Sequence, residues 1–106
     1  MIQNLIKFEH IAWERPHEGV KQKVYSDGKT RLRLLQFNED FIENDWCLKK
    51  HIGYVLNGEM KIDFDGTIKH YKKGDGLWIP EGIDSKHKVL IEKGKHVELI
   101  LFEPDE

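Results

Sequence analysis

Apolar residues along this chain come in short runs cut by glycine, most regularly over residues 51–89, HIGYVLNGEMKIDFDGTIKHYKKGDGLWIPEGIDSKHKV. Gly53, Gly58, Gly66, Gly74, Gly76 and Gly82 divide that stretch into pieces too short for ordinary helices but sized for strands of about five to six residues. The pattern predicts a compact all-β body enclosing a pocket.

Upstream, Gly19–Tyr25 and Thr30–Phe37 read as a hairpin around Ser26-Asp27-Gly28-Lys29, where Asp-Gly supplies the positive backbone angles a tight turn needs. In the second strand Arg31, Arg33, Leu35 and Phe37 share one phase, wet at its start and drier at its end. Asn38–Asp45 reads as a solvated acidic loop. Trp46–Leu56 is expected to be one strand, with Asp45, Cys47, Lys49 and His51 on one side and Trp46, Leu48, Ile52, Tyr54 and Leu56 on the other. Asn57-Gly58 should turn the chain into Glu59–Asp65, and Asp65-Gly66 into Thr67–Tyr71. Gly76–Ile79, Lys86–Glu92 and Val97–Phe102 complete about nine or ten strands, with no helix longer than a turn or two, a pattern that points to a sandwich or barrel.

A length of 106 residues implies one domain with one core, and 34% charged against 39% hydrophobic residues is a globular balance. The 17 Lys and Arg are interspersed with 19 Asp and Glu, so no basic stripe exists to follow a phosphate backbone, and nucleic acid is excluded as a partner. Lys7, Glu9 and His10 interrupt the amino end where a secretory signal needs an apolar core, and nothing approaches the roughly 20 apolar residues of a membrane helix. Cys47 is the sole cysteine, so no internal disulfide can form. A cytoplasmic protein with no membrane contact is the expectation. Residues 1–18 read as an irregular leader with a short strand, whose apolar residues cover a sheet edge or reach a second subunit, and residues 19–102 as the barrel.

The order and spacing of GYVLNGEMKIDFDG, GDGLWIPEG and His87 resemble the cupin superfamily over roughly residues 19 to 102. Gly74, Pro80 and Gly82 stand where the second cupin motif places its glycine, proline and glycine. The resemblance implies a jelly-roll, or double-stranded β-helix, barrel with a divalent metal at one end of its interior. At the usual ligand positions this chain has Asp45, Cys47 and His51 in place of His, His and Glu or Gln, and Ser85 in place of the last His, with His87 two residues beyond.

The replacements are themselves metal-binding residue types. Asp45, Cys47 and His51 at i, i+2 and i+6 of one strand would face one side and meet His87 from a neighbour, a donor set suited to zinc, iron or nickel rather than magnesium. The competing reading is a barrel that has lost its metal, with Cys47 a small buried hydrophobe, His51 a hydrogen-bonded wall residue and Asp45 part of the acidic loop. A cysteine nucleophile is disfavoured, because four residues of extended strand would put His51 about 13 Å from Cys47.

Lys49, in the phase of His51, would favour an anionic ligand, and Tyr54, Trp78 and Ser85 are candidate pocket-lining residues. Two functions follow: a metal-dependent enzyme acting on a small polar molecule, for which the cupin resemblance implies a dioxygenase or isomerase, and a non-catalytic ligand-binding or sensor barrel. Apolar residues on both strand phases, Ile52, Tyr54 and Leu56 against Val55, leave an outer face in need of a cover, which the cupin resemblance implies is a second subunit, and a homodimer is expected.

Overall fold

The computed structural model describes residues 4–105. Seven strands form among them: β1 Val20–Ser26, β2 Thr30–Asn38, β3 His51–Phe64, β4 Thr67–Lys72, β5 Gly76–Ile79, β6 Lys88–Leu90 and β7 His96–Pro104. The only helical pieces among these residues are single 3-10 turns at Phe8–His10 and Ile83–Ser85. All pairings are antiparallel, in the order β1-β2-β7-β3-β4, with β5 and β6 also pairing β3. Among the described residues no helix is long and apolar enough to cross a membrane.

The β1–β2 hairpin forms as its turn chemistry dictates. The Asp27 carboxylate accepts hydrogen bonds from the backbone N–H of Lys29 at 2.9 Å and Thr30 at 2.8 Å, which closes the turn and holds the carboxyl below its ordinary pKa.

The middle of the chain departs from the sequence reading in two places. Asn57-Gly58 does not reverse the chain: β3 runs through it for 14 residues, with a register irregularity between Val55 and Asn57. Gly58 has φ 74°, and a Cβ there would overlap the carbonyl oxygen of His96, so glycine serves a bulge in a continuous strand. A bulge and a tight turn demand the same left-handed residue, and the dipeptide alone does not separate them. The bulge lets the first half of β3 pair with β5 and β7 while the second half pairs with β4 and β6. That merger, with the leader's expected strand reduced to a single bridge at Glu14, is why seven strands stand where about nine or ten were expected.

The second departure is at Trp46–Leu56, where strand structure begins only at His51. Cys47 lies before it in an isolated antiparallel bridge to His87, with Cys47 N–H donating to the His87 carbonyl at 2.8 Å and the reverse bond at 3.1 Å. Residues 48–50 form a bend, not an extension.

Inward residues of the strands, among them Leu35, Val55, Met60, Ile62, Leu99 and Leu101, form one buried cluster. The leader runs along β1, where Glu14 and Gln22 exchange backbone hydrogen bonds of 2.8 and 2.9 Å, and Trp13 lies under the ammonium groups of Lys21 and Lys23. Its expected short strand is this one bridge. On the outer face of β5, β3 and β7, Ile52 is paired with both Trp78 and Phe102.

Candidate metal centre

Alternation along β2 and β7 aims Arg31, Arg33 and Leu35, and Leu99, Leu101 and Glu103, into a cavity of about 440 Å³. One end of that cavity is aliphatic. The other collects Cys47, His51, His87, Glu103 and the two arginines.

Cys47, His51 and His87 each bring one ligand atom to within 4.8 Å of the others. Cys47 Sγ is 3.4 Å from His51 Nε2, so the separation of about 13 Å expected from an extended strand is corrected. The bend at residues 48–50 folds the thiol back onto the imidazole. The two rings meet edge to face with centroids 5.2 Å apart.

Each imidazole is fixed from behind. His51 Nδ1 sits 2.7 Å from Glu103 Oε2, and His87 Nδ1 3.0 Å from the Ser85 carbonyl oxygen. A carbonyl can only accept, so His87 carries its proton on Nδ1 and turns Nε2 toward the cluster. Glu103 also takes Arg31 Nε and Arg33 Nη2, each at 3.0 Å. Burial works to raise its pKa, but the His51 hydrogen bond and the Arg33 charge outweigh it and hold the carboxyl at about 2.

These partners set the charges of the metal-free cluster. Burial opposes a Cys47 thiolate, yet the His51 hydrogen bond and the neighbouring His87 imidazole bring the thiol to about 5. Burial also opposes charging His51, while Cys47 and Glu103 raise it to about 9. Against its own burial, His87 is raised too, chiefly by Cys47. At neutral pH Cys47 and His51 form a thiolate–imidazolium pair.

The donor set fits a soft or borderline cation. Tetrahedral coordination by one sulfur and two nitrogens puts donor atoms about 3.5 Å apart, close to the Cys47–His51 separation, and carboxylate or carbonyl support behind a ligating histidine is the usual arrangement.

Asp45 is exposed and lines a surface depression with Asp40, apart from the three clustered residues. Lys49 stands at the cavity rim. Tyr54 and Trp78 lie on the outer face, 48% and 76% exposed, because the alternation of β3 turns Tyr54 outward and that of β5 turns Trp78 outward. Ser85 acts through its carbonyl.

Glu103 and Glu43 escaped the sequence reading as site residues. Glu103 read as polar tail, although it shares the phase of Leu99 and Leu101, and that continuity was the available signal. Glu43 read as solvated loop, but Phe41 and Glu43 turn inward while Ile42 and Asn44 turn out. Its Oε1 accepts the Val89 N–H at 2.7 Å, and burial raises its pKa.

No protein-family model matches the chain, and no curated protein does. Solved structures match it in fold. It is similar to the polyketide cyclase RemF from Streptomyces resistomycificus, at TM-score 0.83 and 15% identity over 99% of this chain and 81% of that one. It is similar to an RmlC-like cupin from Shewanella frigidimarina NCIMB 400, at TM-score 0.79 and 18% identity over 99% of this chain and 93% of that one. A sugar phosphate isomerase from a cupin superfamily, from Silicibacter pomeroyi, matches at TM-score 0.76 and 10% identity over 96% of this chain and 76% of that one. The fold is the cupin barrel.

Proposed function

On this cupin barrel, we propose that Cys47, His51 and His87 hold one divalent transition metal, zinc, iron or nickel, against which the cavity binds a small polar molecule. The observation that carries the reading is the convergence of the three donor atoms within 4.8 Å, with both histidines braced through Nδ1. A metal held by these three residues would have fewer protein ligands than a closed structural site and would be able to take a ligand atom as well. When bound, the metal supplies Lewis acidity to that atom. Glu103 orients His51, Ser85 orients His87, and the aliphatic end of the cavity receives the body of the ligand away from water. Glu43, held by Val89, is the cavity carboxyl available to take or return a proton. Isomerisation or dioxygenation is the reaction class this supports.

Metal analysis of untagged protein tests the reading: about one equivalent is expected. Less than about a tenth, unchanged in Cys47→Ala and His51→Ala, would sink it.

A second reading rests on Cys47, His51 and Glu103 standing in hydrogen-bonded series, 3.4 Å and then 2.7 Å. Without metal that series suits thiolate chemistry, with Glu103 orienting the base. A purely ligand-binding or sensor barrel uses the same cavity without turnover. We also propose a homodimer, in which a second copy covers the outer face bearing Trp78, Tyr54 and Phe102.

A further inference from the structure

The polar wall of the cavity has more cationic donors than its carboxylates use. Arg31 and Arg33 line it from β2, and Arg33 is committed: Nη1 donates to Gln22 Oε1 at 3.1 Å, Nη2 to Glu103 Oε2 at 3.0 Å, and its Nε is buried without a partner. Arg31 is not. Its Nε donates to Glu103 Oε1 at 3.0 Å, but among the described residues its two terminal nitrogens meet no acceptor, and its side chain keeps 27% exposure.

Lys49 is the second uncommitted cation, in no ion pair among the described residues. Arg31 and Lys49 both line the main cavity and a small pocket adjoining it, which Lys50, Glu81, Glu103 and Pro104 complete. Glu103 is already shared among Arg31, Arg33 and His51, which leaves Glu81 as the remaining carboxylate there. Two parallel N–H groups of a guanidinium match the two oxygens of a carboxylate, and an ammonium beside them adds charge without demanding geometry. Arg31 is also separated from His51 by one carboxylate, so an anion on Arg31 lies a short span from the three-residue centre.

We propose that Arg31 and Lys49 bind the carboxylate of a small organic acid, whose second oxygen donor reaches the Cys47–His51–His87 centre. The inference narrows the ligand class of the reading above and depends on it for that second contact. The carbon body of such an acid faces the apolar part of the cavity lining, which includes Leu35, Met60 and Leu99.

Calorimetric titration of zinc-loaded and metal-free protein with glycolate, lactate and 3-hydroxybutyrate, with their primary amides, and with inorganic phosphate, tests this. At least one acid should bind, and its amide, the same shape without the charge, about tenfold or more weakly. Arg31→Gln should weaken the acid by about tenfold or more, and Lys49→Gln by about fivefold with its zinc content and amide binding unchanged. Lys49 lies on an exposed bend, so its variant reads the same contact without disturbing the Glu103 network. Stripping zinc should weaken the acid while preserving its advantage over the amide. An acid preference that does not respond to zinc counts against the metal reading alone. Equal binding of acid and amide, unchanged affinity in both variants, no binding by any acid, or tighter binding of phosphate than of every acid overturns the inference.

Discussion

His51 Nδ1 lies 2.7 Å from Glu103 Oε2, joining a residue at the start of β3 to one near the end of β7. The contact fixes the ring so that Nε2, not Nδ1, faces Cys47. Glu103→Gln keeps the size of the side chain and removes the charge that makes His51 a strong donor atom. Loss of such support typically costs 10–100-fold in metal affinity, so zinc affinity measured by chelator competition should fall by about that factor, with stoichiometry unchanged. An unaltered affinity would mean the carboxylate merely fills space.

Cys47 offers a direct chemical probe. With the thiol near 5, the metal-free protein is mostly thiolate at pH 6, where an ordinary cysteine is well under about 1% ionised. Alkylation by iodoacetamide at pH 6 should therefore run well ahead of a simple thiol, and saturating zinc should slow it by about tenfold or more. Rapid alkylation indifferent to zinc would favour the thiolate chemistry of the second reading.

Metal binding should also displace protons. Near pH 7.5 Cys47 is already ionised, but His51, raised to about 9, still carries the proton that coordination must remove. Calorimetry in buffers of different ionisation enthalpy should find on the order of one proton released per zinc at pH 7.5, falling as the pH passes 9. Release near zero at pH 7.5 would place the His51 proton, or the metal, elsewhere.

The barrel was legible in the sequence because its signals are local. The hairpin at Asp27-Gly28 and the strands β4, β5 and β7 follow from two-residue alternation and turn chemistry. The β3 bulge was not, because Gly58 is required by the close approach of His96, a contact between segments distant in the chain. The site was legible in residue type but not in geometry. Cys47, His51 and His87 stood out as donors, while the bend that brings the thiol to the imidazole answers to the Cys47–His87 bridge, and the partner Glu103 meets is set by the β2–β7 register that puts Arg31 opposite it. Trp78 and Tyr54 show the converse: aromatic type gives no phase, and the phase places them outside.

Acid stability should report on Glu103. Its folded pKa is about 2 against an ordinary 4.5, so the folded state holds the proton less tightly than the unfolded chain. The resulting stabilisation is present in full above 4.5 and is lost as pH falls toward 2. It amounts to on the order of 3 kcal/mol for this nearly buried group. In urea titrations the metal-free protein should lose that much between pH 5 and 2, and Glu103→Gln should flatten this limb. A limb equally steep in the variant would assign the acid sensitivity to other carboxyls.

Association rests on a different face. Trp78, Tyr54 and Phe102 are 76%, 48% and 58% exposed, and the pairing of Ile52 with Trp78 and Phe102 makes them neighbours across three strands. An apolar patch built from adjacent strands leaves large aromatic area in water, and aromatic residues are the commonest energetic anchors of interfaces. A second copy presenting the same patch across a two-fold axis covers both at once. Light scattering should give a dimer at micromolar concentration. Trp78→Lys should weaken it by at least about 30-fold, the loss expected of an interface anchor. Because the side chain is exposed within one protomer, the variant should keep its fold and its metal content. A monomeric parent protein, or a Trp78→Lys variant that remains dimeric, would remove this face from association.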